Sequence, residues 1–124
     1  MRKVVVDRAA DRCEYCRIHQ DVESFFRFHV EHIIARQHGG LSHRSNLALA
    51  CYHCNLHKGP NLSAIDPENG QMVALYNPRK DRWDEHFERQ QFRVVGKTAA
   101  GRATAALLAM NFLPRIELRS ISPQ

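Results

Sequence analysis

HVEHIIARQHGG (His29–Gly40) and, after a short polar link, SNLALACYHCNLHKG (Ser45–Gly59) form the stretch on which the rest of the chain depends. An apolar, aromatic-rich run comprising Phe25, Phe26, Phe28, Val30, Ile33 and Ile34 leads through Glu31-His32 to Gly39-Gly40. Branched and aromatic residues closed by paired glycines predict a strand and a tight turn. Leu47 to Ala50 predicts a second strand, and the segment from Cys54 onward a helix start broken by Gly59-Pro60. The order is strand, loop, strand, helix.

Two C-x-x-C turns, Cys13-Glu14-Tyr15-Cys16 and Cys51-Tyr52-His53-Cys54, bracket this stretch. The N-terminus is charged and then reads only Val4-Val5-Val6, too short for a signal-peptide core, so a cytosolic setting is expected. In a reducing compartment paired C-x-x-C turns favour a closed tetrahedral zinc site over disulfides. The gap from Cys16 to Cys51 exceeds the roughly 15 to 20 residues of a plain zinc ribbon, so something is inserted between the pairs. The competing reading of these thiols, redox activity or simple burial, is weakened by the second pair.

The chain has 124 residues, 44% hydrophobic and 25% charged, which fits one globular domain that gains from a metal staple. No stretch approaches the roughly 18 apolar residues of a membrane span. A formal charge of +5, before any of eight histidines is counted, attracts polyanions, with nucleic acid the economical partner. Ahead of Cys13, about Val5 to Arg12 predicts a short amphipathic helix. After Asn61 the pattern predicts a turn over Asp66–Gly70, a strand over Met72–Tyr76 and a helix over Asp81–Arg89 with Trp83 and Phe87 on a core stripe. A strand over Gln91–Val95 follows, then a last helix capped by Thr98, with Ala103, Ala106, Leu107 and Met110 on one face and an end at Asn111 and Pro114.

The central residues suit phosphodiester cleavage. A histidine is mostly neutral near pH 7 and can take a proton from water. A hard divalent ion prefers oxygen ligands such as Glu31 and Asn55, and would counter the charge of the phosphate and of the leaving oxygen. Glu31-His32-Ile33-Ile34, Gly39-Gly40, Asn46-Leu47 and Cys51-x-x-Cys54-Asn55-x-x-Lys58-Gly59 together resemble the HNH endonuclease motif. The resemblance covers about Cys13 to Gly59, and the tail from Asp66 to Leu118 resembles an extension found in a bacterial subgroup.

That resemblance implies an α+β chain: a small ββα-metal core over residues 1–60, clamped by a zinc on Cys13, Cys16, Cys51 and Cys54, with a C-terminal α/β extension over 61–124 packing on it. It implies His32 as general base oriented by Asn46, magnesium or manganese held by Glu31 and Asn55, and Lys58 on a phosphate of DNA. Glu31 stands where the family commonly has aspartate, and Asn55 where its name promises histidine. In a straight strand Glu31 and His32 point to opposite faces, so both reach one phosphate only if the strand bends or ends there. His29 shares a face with Glu31 and is either a partner of the site or a surface histidine. His38, His43, His53 and His57 read as exposed or locally bonded, Arg79, Lys80 and Arg82 as solvated, and Trp83 as core. The alternative function is a zinc-stapled module that binds nucleic acid or recruits a partner without chemistry. Strong specificity in so small a chain would require a homodimer or a partner protein.

Overall fold

The computed structural model describes residues 1–123. Its central motif is an antiparallel pair, β1 (His29–His32) and β2 (Leu47–Ala50), with His29 opposite Ala50 and His32 opposite Leu47. Helix α2 (Tyr52–Lys58) follows at once, because Cys51 caps its first turn through Sγ and Gly59, at φ 51°, closes its end. Helix α1 (Arg2–Ala9) packs across β2, whose four residues are all buried. The expected strand, loop, strand and helix are present, although the helix starts two residues before Cys54.

Two expectations for the first half need correction. Strand β1 is only four residues long, and of the three nearby phenylalanines only Phe28 is buried, while Phe25 is 88% exposed and Phe26 48%. The side chain of Gln20 reaches into this loop and binds the backbone of both Phe26 and Phe28, which holds it out of the ladder.

The second half contributes two hairpins and three helices. Strands β3 (Ser63–Ile65) and β4 (Met72–Ala74) enclose the expected Asp66–Gly70 turn, closed by Gly70 N–H on Asp66 O at 2.8 Å. The helix expected over Asp81–Arg89 is one turn, α3 (Trp83–His86), after which the chain becomes strand β5 (Phe87–Gln90) paired with β6 (Arg93–Gly96). Trp83 and Phe87 still pack, with ring centroids 5.2 Å apart, so the aromatic spacing signalled a core contact while hairpin pairing decided the backbone. Helix α4 (Ala99–Leu107) starts at Thr98, whose Oγ1 accepts from Gly101 N–H at 3.0 Å. A Cβ on Gly101 would lie 2.0 Å from His86 O, so glycine lets this helix sit directly on α3.

The buried face of this region is Gly101, Ala103, Thr104, Leu108 and Met110, whereas Ala106, expected inside, is exposed. The chain does not end its helices at Pro114. Proline lacks only an N–H that the first turn leaves unbonded, and α5 (Leu113–Ile121) begins there. Asn111 ends the preceding segment by exchanging two 2.8 Å bonds with the backbone of Val94. One buried cluster joins Val5, Tyr15, Ile18, Phe28 and Leu49 with Tyr76, Trp83, Phe87, Val94, Leu108 and Met110. Among the described residues no helix is long and apolar enough to cross a membrane.

Candidate active site

The four cysteines meet at one buried point, with all their Sγ atoms within 4.8 Å of one another. Cys16 Sγ and Cys51 Sγ are 3.7 Å apart, near the roughly 3.8 Å edge of a tetrahedron with Zn–S bonds of about 2.3 Å. Each C-x-x-C turn aims a backbone N–H at its first sulfur, Cys16 N at Cys13 Sγ (3.5 Å) and Cys54 N at Cys51 Sγ (3.3 Å). Hydrogen bonds from the other three hold the Cys16 thiol well below its ordinary range, while bonds from Cys13 and Cys16 drive Cys51 and Cys54 well above theirs. Four thiolates so close require a cation, and this donor set fits zinc.

Helix α5, absent from the sequence-based expectation, locks this point. Arg115 Nη2 reaches Cys51 Sγ at 3.1 Å. Arg119, fully buried, spends its guanidinium on three carbonyls, Cys16 O (3.0 Å), Phe92 O (2.5 Å) and Met110 O (2.9 Å). Two arginines four apart on a strongly amphipathic segment were the available signal, hidden behind Pro114.

The first turn also reaches both central strands. Glu14 exchanges backbone and carboxylate bonds with Leu49 of β2 and pairs with Arg79, which is therefore not the solvated residue expected. Tyr15, buried, donates its phenol O–H to Glu31 of β1, and its carbonyl accepts from Trp83 Nε1 at 2.8 Å. Trp83 is core, as expected.

Glu31 and His32 lie in one cleft of ≈ 340 Å³, lined also by His29, Val30, Ala35, Arg36, Asn55, Gly59 and Pro60. The strand ends at His32, so two neighbouring side chains share a hollow that a continuing strand would divide. Glu31 is 6% exposed: one oxygen takes the Tyr15 hydroxyl and the other lies 3.4 Å from Lys58 Nζ. Burial raises its pKa above the usual carboxylate range, and neither Lys58 nor Tyr15 fully offsets that.

Lys58, expected where a phosphate would meet it, is 2% exposed and donates to Ile33 O at 3.0 Å. Its position puts it behind Glu31 as a counter-charge. Asn55, in contrast, is half-buried beside the cleft, and among the described residues its side-chain amide makes no hydrogen bond.

His32 Nε2 is 2.9 Å from Ser42 Oγ and takes a long contact from Arg36 Nε at 3.4 Å, while Arg36 Nη2 donates to Ser42 Oγ at 3.2 Å. The guanidinium only donates, so Arg36 braces both the imidazole edge and the Ser42 hydroxyl. Asn46 makes no direct bond to His32. Its amide pins the loop beyond, accepting from Ile34 N (2.9 Å) and donating to Ile34 O (3.0 Å) and Leu41 O (2.9 Å). Gly40 permits that closure, because a Cβ there would lie 1.7 Å from Ile34 O.

Three further histidines bond locally. His43 Nδ1 caps the 3₁₀ turn of Asn46, His53 bonds Ala109 O, and His57 bonds His53 O. His29 lines the cleft with its ring 6.3 Å from that of Tyr52.

Residues 13–61 match the family model described as HNH endonuclease. The matched span contains both cysteine pairs and every residue of the cleft. The chain is also similar to the Septu protein PtuB of Bacillus thuringiensis, 25% identical over 118 residues. That alignment covers 94% of this chain and 43% of the relative, so the chain spans less than half of the relative's length. No solved structure matches the chain.

Proposed function

We propose that this chain is a metal-dependent endonuclease that hydrolyses DNA phosphodiester bonds in the cleft between β1 and α2. One observation carries the reading: an imidazole, a buried carboxylate and an amide that makes no hydrogen bond among the described residues converge on one hollow within the span that matches a nuclease family. His32 accepts the proton of the attacking water, and Ser42 and Arg36 hold the ring. Asn46 acts one step removed, by fixing the loop that carries Ser42 and Arg36 against the end of β1.

Glu31 and Asn55 would hold magnesium or manganese, an oxygen donor pair of the kind such ions take. When bound, that ion would polarise the phosphoryl oxygen and stabilise the departing one. Lys58 balances the charge of Glu31 from the protein side and Tyr15 fixes its rotamer. The four cysteines hold zinc in a purely structural role. The likeness to the PtuB relative continues past residue 61, which supports reading residues 1–60 and 61–124 as one working unit.

The Glu31–Lys58 pair also favours a second reading, in which the carboxylate is structural and the chain binds nucleic acid without cutting it. Single-turnover plasmid cleavage separates the two. With magnesium or manganese the wild type should nick, and His32→Ala should lose about 100- to 10,000-fold while keeping its fold and zinc. A wild type that binds DNA and never cuts establishes the second reading. A His32→Ala protein that cuts at the wild-type rate moves the base to His29.

A further inference from the structure

Two exposed aromatic rings stack beside the cleft and serve no core. Phe26 and Tyr52, 48% and 40% exposed, stack nearly parallel with centroids 4.3 Å apart and planes 11° from one another. Phe25, 88% exposed, precedes Phe26 in its loop, and Tyr52, at the start of α2, adjoins His29 on the cleft wall. The loop is braced on both sides. Gln20 Nε2 donates to Phe26 O at 3.1 Å, Phe28 N donates to Gln20 Oε1 at 2.7 Å, and Arg2 Nη2 donates to Phe28 O at 2.6 Å. These bonds hold the rings in solvent, against the hydrophobic gain of folding them inward.

The loop carries one carboxylate on its backbone, Glu23 Oε2 accepting from Phe25 N–H at 3.3 Å, and two guanidinium groups adjoin it. Arg2 and Arg27 line a hollow of ≈ 160 Å³ together with Gln20, Val6, Leu49 and Asp11, and Arg27 directly follows Phe26. A flat aromatic surface with guanidinium groups beside it matches one nucleotide, with the base stacked on the ring and the phosphate on the arginine. A base inside a fully paired duplex cannot present its face to such a ring, whereas an unpaired one can.

We propose that the Phe26–Tyr52 stack, flanked by Arg2 and Arg27, is a nucleotide platform that takes an unpaired base of the strand entering the cleft. Its substrate class is DNA with a single-stranded segment next to the cut, such as a flap or splayed arm. This rests on the nuclease reading, and it is tested by binding alone so that the two can fail separately.

The probes are a single strand, a splayed duplex and a blunt duplex of matched length, with 2-aminopurine in the unpaired arm and chelator-free buffer without magnesium or manganese. The wild type should bind the splayed probe about tenfold tighter than the blunt one and quench the 2-aminopurine. Phe26→Leu and Tyr52→Leu should each weaken splayed binding by about 5- to 100-fold and abolish the quench, bringing the splayed-to-blunt ratio near one. Arg27→Gln should reduce the steepness of the salt dependence by about one charge. Zinc content and circular dichroism check the fold, and Phe25→Ser, at the most exposed ring, supplies a variant free of packing cost. Equal wild-type affinity for all probes overturns the platform. So do Phe26 and Tyr52 variants that keep the ratio and the quench, which would leave the rings as a contact for a protein. A wild type that shows the preference and quench but never cuts DNA leaves the platform standing and removes the nuclease reading.

Discussion

The cysteine clamp and the cleft meet on helix α2, which carries both Cys54 and Asn55, and are built to opposite standards. In the clamp all four donors are buried, each pair is anchored by its own backbone, and α5 contributes two arginines from the far end of the chain. In the cleft His32 and Asn55 remain partly exposed, and the polar contacts around the imidazole come from Ser42 and Arg36 on a surface loop. A structural site excludes water and fills its coordination from the protein, whereas a reacting site must leave room for water and substrate. Burial and bonding are concentrated at the clamp and connected to the strands of the cleft through one short turn. Glu14 and Tyr15, the two residues between Cys13 and Cys16, are bonded to β2 and β1 respectively.

The comparison breaks most visibly if the clamp is emptied. Chelation, or Cys54→Ser, should unfold the domain, because metal binding energy of about 10 to 16 kcal/mol becomes folding energy in small zinc sites. Elemental analysis should find about one zinc per chain, as a single four-thiolate site requires. A zinc-free, reduced protein with native circular dichroism would remove the clamp from the argument.

Arg119→Leu leaves the cysteines in place but deprives three carbonyls of their donor. It should cost on the order of 3 kcal/mol in urea unfolding, with loss of zinc retention above the midpoint and cleavage per folded molecule little changed. Equal stability of variant and wild type would mean that α5 is an ornament on the clamp.

Asn55→Ala probes the other side. It should weaken manganese binding by about 10- to 100-fold without touching zinc or stability, and excess manganese should restore part of the cleavage, which it should not do for His32→Ala. Direct manganese titration decides this independently of activity, and unchanged manganese affinity would exclude Asn55 as a ligand.

Tyr15→Phe tests the joint and should have the smallest effect. It removes one hydroxyl from a buried carboxylate, so about 1 to 2 kcal/mol of stability should be lost, with zinc retained. The manganese concentration for half-maximal binding should rise a few-fold as Glu31 loses its fixed rotamer. A variant that loses stability with unaltered manganese binding would confine Tyr15 to packing.

Much of the first half was legible in sequence, because its signals are local. Cysteine spacing announces a metal site, Cys51 caps the helix it begins, and the apolar Leu47–Ala50 run forms the buried strand it suggests. Phe25 and Phe26 misled for a definite reason: residue type shows that a side chain is apolar, whereas the bracing by Gln20 that keeps them in solvent is a contact between distant parts of the chain. The segment after Trp83 failed likewise, since pairing with β6 outweighed the helical spacing of Trp83 and Phe87.

The sequence by itself determined the donor set of the clamp, the strand–loop–strand–helix order, and the presence of Glu31, His32, Asn46 and Asn55 in one segment. Only the tertiary structure decided where those residues sit and what they bond. It buried Lys58 behind Glu31, turned Asn46 onto the loop instead of the imidazole, and brought Arg115 and Arg119 back to the cysteines. The reason is physical: a ligand set is a property of residue types and spacing, but a charge buried at 2% exposure or a guanidinium shared by three carbonyls exists only once distant segments have closed around it.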